Sequence, residues 1–425
     1  MSLAWDVRTA SGTEVLPNGW AIRRIGDLVT LANGHPFPSE NFGPSGDIPL
    51  VRIRDLTERS FETYVTGTIP PSALLRNGDV VIGMDGDFNL VVWDRGEAAL
   101  NQRLCLLRPR AQVDMRFIAY ALPTSLRIIN DLTFATTVKH LSSTDILSER
   151  IMLPPLDEQR RIADFLNAET GRIDSLRERR LAQVALLGER LAYRWSSVIT
   201  QDGTDAGWAP IRRFLTAITD GPFGSSLTSA HYSDAGARVI RLGNLGRAEF
   251  RDRDAAYVPL HYFGELKRHE ASPGDLVVAG LGDQNHPLGR ACVVPDHIGP
   301  AMVKADCFRL RLDQSRLRHD YAAWALSSPP VTDQALLLSR GSTRARINLE
   351  AVREIPVPVP SLARQRRSVA LLSEERRALQ AISQRCRRQL SLLTERREAL
   401  ITAAITGQFD VITASGRNVT EGVTV

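Results

Sequence analysis

One motif occurs twice in this chain, 206 residues apart, and that repeat limits the folds open to it. Leu153-Pro154-Pro155-Leu156-Asp157-Glu158-Gln159-Arg160-Arg161 returns as Val359-Pro360-Ser361-Leu362-Ala363-Arg364-Gln365-Arg366-Arg367. The register then holds without a gap to Ile199-Thr200 and Ile405-Thr406. Chance does not keep one register over about 45 residues, so the chain is an internal duplication.

Each copy reads as one long helix. Proline precedes both, and none interrupts 157–200 or 363–406. The apolar seam expected in the first is Leu166, Ile173, Leu176, Val184, Leu187, Leu191, Trp195 and Val198. The same offset gives Leu372, Leu379, Ile382, Leu390, Leu393, Arg397, Ile401 and Ala404 in the second. Such a narrow stripe fits a coiled-coil seam better than a globular core face. Helices this long and polar are expected to pack on each other.

A chain of 425 residues with 43% hydrophobic content can bury two or three cores. No stretch reads as a signal peptide and no apolar run approaches a membrane span, so a cytoplasmic location away from membranes is expected. Cys105, Cys292, Cys307 and Cys386 form no CxxC pair, which fits reduced, buried thiols. The net charge is +5. Helix 157–200 carries 8 basic and 7 acidic residues and helix 363–406 carries 10 and 4, leaving −2 for everything else. A nucleic-acid surface outside the helices must therefore be a local patch.

The order along the chain is an N-terminal arm (1–17), a first domain (18–156), a helix (157–200), a Gly/Asp/Thr linker (201–207), a second domain (208–362), a helix (363–406) and a tail (407–425). In the first domain Ile48–Leu56, Gly78–Ile82 and Leu104–Leu107 read as strands, and Arg116–Leu122 as a short helix. The second domain repeats the first loosely. Val51-Arg52-Ile53-Arg54-Asp55-Leu56 returns as Ile240-Arg241-Leu242-Gly243-Asn244-Leu245, and Gly78-Asp79-Val80-Val81 as Gly274-Asp275-Leu276-Val277. The offset drifts from about 189 to 206, as loop insertions would make it.

A search for chemistry finds no P-loop, no HExxH and no G-x-S-x-G. Asp220-Gly221-Pro222-Phe223 is similar to the Asp/Asn-Pro-Pro-aromatic signature of amino-methyltransferases. Glycine takes the second place, however, and no Gly-rich cofactor loop precedes it, so a turn is the reading. No catalytic, cofactor-binding or metal-binding residue is nominated. What remains is polar loops able to meet phosphate or base edges. Ser342, Thr343, Arg344, Arg346 and Asn348 lie before the second helix, and Thr136, Thr137, Lys139 and His140 are their counterparts. Arg52/Arg54 and Arg241/Asn244 sit at matching strand ends. The loops Asn33–Phe37 and Gly221–Ser226 also match. Each remains open between contact and ordinary loop structure.

The proline-to-Glu-Gln helix start, the Gly-Ser-Thr loop at Gly341–Thr343, the Gly221–Ser225 loop and the closing Ile405-Thr406-Gly407 together resemble specificity (S) subunits of type I restriction–modification systems, over residues 19–411. The resemblance implies an α+β fold. Two related mixed α/β target recognition domains would be joined by two long helices in an antiparallel coiled coil, with pseudo-two-fold symmetry. It also implies a non-catalytic subunit that binds double-stranded DNA, each domain reading half of a split site. The helices would set the spacer and dock two methyltransferase (M) subunits, with motor-nuclease (R) subunits joining for cleavage. S-adenosylmethionine would belong to the M subunit, an adenine methyltransferase, and no cofactor to this chain. Glu158, Gln159, Arg160, Gln365 and Arg366, at the repeated helix starts, are the expected docking residues.

The chain departs from that pattern at Ala363-Arg364-Gln365, where an acidic pair before Gln is usual, at Ala135 in place of Gly, and at Arg397 in the seam. The first departure could weaken one M contact. Two rivals stand beside this reading: a stand-alone DNA methyltransferase, which needs a cofactor pocket, and a coiled-coil adaptor without DNA, which sequence-dependent binding excludes.

Overall fold

The computed structural model describes residues 16–58, 60–132, 140–283, 285–339, 345–409 and 411, with the backbone alone for 127–132. The chain divides into two units, residues 1–179 with 389–425 and residues 180–388.

In the first unit β1 (Val29–Asn33), β2 (Val80–Gly83), β3 (Leu90–Val92) and β4 (Leu104–Pro109) form an antiparallel sheet in the order β1-β4-β2-β3. Its apolar residues divide by parity. Val80, Ile82, Cys105 and Leu107 pack with Phe117 and Ile118 of helix α1 (Met115–Leu132). Val81, Leu104 and Leu106 pack with Val51, Leu75 and Leu100 beneath a second sheet. A sheet covered on both faces needs continuous β-branched and aliphatic runs, which is why Val80-Val81-Ile82 does not alternate with polar residues. The central strand of the second sheet, Ile48–Val51, runs antiparallel to Tyr64–Val65 and parallel to Ala98–Leu100.

Two expectations change here. The run to Leu56 is not one strand, because Asp55 accepts from the Arg52 backbone N–H at 3.0 Å and folds Ile53–Leu56 into a 3-10 turn. The helix expected at Arg116–Leu122 continues through Pro123 to Leu132. Its buried face (Phe117, Ile118, Ala121, Leu122, Leu126) extends past the proline, and that burial offsets the roughly 3 kcal/mol a mid-helix proline costs.

The second unit repeats this plan. β5 (Leu215–Thr219), β6 (Leu276–Ala279), β7 (Ala291–Val293) and β8 (Cys307–Leu312) take the order β5-β8-β6-β7. Leu276, Val278 and Leu310 pack with Tyr321 and Trp324 of helix α3 (His319–Leu326), while Val277, Ala279 and Cys307 face a second sheet. There Ala237–Ile240 is antiparallel to Tyr257–Val258 and parallel to Ala301–Val303, as in the first unit.

The repeated Gly-Asp marks a shared ion pair. Asp79 binds Arg108 of β4 at 2.8 and 2.7 Å, and Asp275 binds Arg311 of β8 at 2.8 and 3.0 Å. Each aspartate also accepts a backbone N–H, from Arg76 and Ser272 respectively, at 2.9 Å. These carboxylates fasten the start of β2 and β6 to the neighbouring strand.

The long helices are α2 (Leu156–Ala206) and α4 (Leu362–Ile405). They run antiparallel within each unit. In the first, Asp174 meets Arg397 at 3.6 Å. In the second, Gln183 meets Cys386, Arg194 meets Glu375 at 3.5 Å, and Asp202 meets Arg364 at 2.6 Å. The seam differs from expectation at one place per helix. Leu176 and Ile382 are exposed, at 45% and 37%. The alternating four-three spacing from Ile173 passes instead through Arg177 and Arg180, and from Leu379 through Ser383 and the buried Cys386. Leu176 is three residues from Ile173 and eight from Val184, so it breaks the heptad series.

The linker expected at 201–207 is also corrected, because helix α2 runs to Ala206. Glycine at 203 costs about 1 kcal/mol of helix propensity. Against that, buried Asp202 accepts from Arg364, Ser368 (2.8 Å) and Tyr321 (3.0 Å), ties that exist only if the helix continues. Gly207 ends it, at φ +84° and with its N–H bonded to Gly203 at 2.8 Å. The N-terminal arm lies mostly outside the described residues, although Leu16 joins the first core. The tail begins anchored, with the Phe409 ring 5.3 Å from that of Phe165. Among the described residues no helix is long and apolar enough to cross a membrane.

Candidate functional site

In each unit the described loop candidates gather at one end of the four-stranded sheet, where its first two strands stop and its last begins. Two glycines shape that end. A Cβ on Gly34 would lie 1.9 Å from the Asn101 carbonyl oxygen, and one on Gly221 would lie 2.0 Å from the Lys304 carbonyl carbon. The loops after β1 and β5 press against the chain entering β4 and β8, and only glycine fits.

In the second unit, Ile347 N–H bonds Gly280 at 2.9 Å and Gly282 N–H bonds Ala345 at 3.0 Å, holding the segment after the Gly-Ser-Thr loop against the end of β6. Arg346 is thereby aimed at Asp306, which accepts its Nε–H at 2.7 Å, and lies 5.8 Å from the Phe223 ring. A cleft of about 700 Å³ opens among Asp220, Phe223, Asp306, Phe308, Arg346 and Asn348. The 3-10 turn Leu242–Asn244 is fastened to the same place by buried Arg290. Its guanidinium donates to the carbonyls of Leu242, Leu245, Leu281 and Pro287 at 2.8–3.2 Å.

The first unit holds the matching positions with the charges exchanged. Leu141 N–H bonds Met84 at 2.8 Å, and His140 sits where Arg346 does. Its Nδ1 lies 2.8 Å from Asp85, which also receives Arg103. The His140 hydrogen bond, with Arg103 beside it, holds the Asp85 carboxyl below the usual carboxylate range although burial pushes it up. Arg95 does here what Arg290 does in the second unit. It donates to the carbonyls of Asp55, Leu56 and Glu58 while lying 4.1 Å from the Trp93 ring. Neither arginine was legible as a loop clamp, since a carbonyl-bound guanidinium leaves no pairing pattern in a sequence.

The nominated residues divide into three groups. Arg54, His140 and Arg346 are 65%, 63% and 53% exposed at their side chains and face outward. Arg52 and Asn244 are instead occupied in their own turns. Arg52 donates to Asp55 at 2.9 Å. Asn244, 2% exposed, caps Arg241 N–H at 2.9 Å and donates to the Arg251 and Arg253 carbonyls. Asn348 caps a short helix through Ala351 N–H at 2.9 Å, and Arg241 donates to the Asp254 carbonyl. Thr136, Thr137, Lys139, Ser342, Thr343 and Arg344 lie outside the described residues.

The helix starts also separate. Gln159 and Gln365 are 2% and 0% exposed, so they are no part of a docking surface as they stand. Glu158 is half-buried, while Arg160 and Arg366 are exposed, Arg160 being paired with Asp157 at 3.3 Å. Arg364 has its own explanation: it neutralises buried Asp202. Among the described residues no cluster of His, Cys, Asp and Glu could hold a metal ion, and the four cysteines are free and buried.

Residues 17–186 match the family model of the type I restriction modification DNA specificity domain. The EcoBI type I restriction enzyme specificity subunit of Escherichia coli is 25% identical over 423 residues, covering 94% of this chain and 88% of that protein. Among solved structures, one from a study of type I R-M complex assembly and conformational transition covers 93% of this chain and all of its own at 20% identity, with a TM-score of 0.71. The HsdS subunit from Thermoanaerobacter tengcongensis covers 94% of this chain and all of its own, at 20% identity and a TM-score of 0.52. These two show a shared fold.

Proposed function

We infer that this chain is a type I restriction–modification specificity subunit, as its similarity to that family supports, and that it supplies sequence recognition to a complex whose chemistry resides in other subunits. Each unit reads one half of a divided DNA site, and the paired helices set the unread spacer. The observation that carries this reading is the duplication of a whole recognition unit. The same sheet order, the same glycine-wedged loop and an outward nitrogen-bearing side chain at one sheet end occur in both, His140 in one and Arg346 in the other. Two related readers are what a two-part site requires.

The methyltransferase subunits dock on the helices. Exposed Arg160 and Arg366 remain in that proposal, and Glu158 borders it. Gln159 and Gln365 enter it only as the internal struts that hold those helix starts in place. Two methyltransferase subunits per chain, with restriction subunits joining them, complete the complex. The test is sequence-selective binding by the full chain with its methyltransferase partner. A duplex carrying the selected site should outcompete an unrelated duplex, and equal competition by both at moderate salt rejects the reading.

A further inference from the structure

We propose that Asp220 selects one base pair of the second unit's half-site by accepting a hydrogen bond from a major-groove amino group, N4 of cytosine or N6 of adenine. The proposal rests on the reading of this chain as a DNA-specificity subunit and names what one side chain contributes to it. Asp220 lines the cleft shared with Phe223 and Arg346. Its backbone is held on both sides. The carbonyl accepts from His269 Nδ1 at 2.5 Å, and the next residue, Gly221, is wedged against Lys304. The residue is half-buried and its carboxylate has no partner among the described residues, whereas the neighbouring Asp306 is taken by Arg346.

A carboxylate with no partner among the described residues, on a surface that meets a polyanion, is repelled by phosphate, so non-specific affinity does not account for it. Arg346 and Lys304 nearby offset part of that repulsion. A carboxylate is acceptor-only. It therefore matches the amino groups that cytosine and adenine present in the major groove. It also rejects the acceptor-only edges of guanine (N7, O6) and thymine (O4). A short side chain on a held backbone has little freedom to lose when it reads such an edge.

The experiment is selection of the full chain, assembled with its methyltransferase partner, on a randomised duplex library. Wild type, Asp220→Ala and Asp220→Asn are compared. In Asp220→Ala one position of one half-site should lose its cytosine-or-adenine preference by roughly 5- to 150-fold, with the other half-site unchanged. Asp220→Asn keeps the shape and adds a donor, so it should move that position towards adenine, and it serves where the alanine variant fails to fold. An unchanged motif in both variants overturns the assignment. So does an equal gain of affinity for all sequences, which would make Asp220 a general charge. A wild-type chain that selects no motif overturns instead the reading on which the proposal rests.

Discussion

Gln159 and Gln365 share two bonds, each within its own unit. Nε2 of Gln159 donates to the Pro154 carbonyl at 2.8 Å and its Oε1 accepts from Asp114 N–H at 3.0 Å. Nε2 of Gln365 donates to the Pro360 carbonyl at 2.8 Å and its Oε1 accepts from Arg318 N–H at 2.9 Å. In both units the amide ties the start of a long helix to the loop before α1 or α3.

Replacing either glutamine with alanine should therefore weaken its own unit. The lost amide leaves a buried backbone N–H unpaired, which costs about 1–3 kcal/mol. Urea denaturation with hydrogen exchange should show lower protection around Met115–Leu126 for Gln159→Ala and around His319–Leu326 for Gln365→Ala. Wild-type protection in both would return these residues to the surface role first expected of them.

Arg364 sits where the first copy has Glu158, and its partner Asp202 is fully buried. Arg364→Glu should destabilise the second unit more than Arg364→Ala, since it sets a second carboxylate against the buried one. Adding Asp202→Asn should recover part of the loss. Equal melting temperatures for the two single variants would show that the charge pair is not what holds the helix ends.

The outward side chains Arg346 and His140 should contact DNA. Arg346→Ala should either relax one position of one half-site, costing about 1–3 kcal/mol, or weaken all sequences alike and lower the salt slope by about one. Arg344 carries the same expectation from the sequence. A double variant with wild-type binding across a salt titration would remove this loop from the interface.

Burial pushes the Cys105 and Cys292 thiols up to about 12, and that of Cys307 up as well. A raised folded pKa favours the protonated state, so these thiols leave stability untouched below the unfolded value near 9. Stability should then fall between pH 9 and 12, by about 1.4 kcal/mol per pH unit for each thiol. Alkylation at pH 8 should be negligible until the chain unfolds. Rapid labelling of the folded chain would contradict this.

The duplication, the long helices and the strands at Val80 and Leu104 were legible because each is a repeated or periodic pattern. The roles of single polar residues were less so. Gln159 looked like surface because its neighbours are charged, and only the packed structure places Asp114 N–H against it. Arg52 and Asn244 are polar residues at strand ends, yet each is occupied by a turn it closes. Residues 201–206 have linker composition, but the bonds of Asp202 outweigh local propensity. For the first and last of these the deciding partner is distant in sequence, 45 residues away for Gln159 and 162 for Asp202 and Arg364, whereas Arg52 and Asn244 are held by partners within nine residues.

The most direct test of a duplicated reader is the form of the motif it selects. The full chain with its methyltransferase partner, run against a randomised duplex library, should enrich two short specified tracts separated by a fixed run of unspecified base pairs. Exchanging residues 208–355 for the second domain of a relative should replace one tract and leave the other. A single contiguous motif, or an exchange that alters both tracts, would contradict the account.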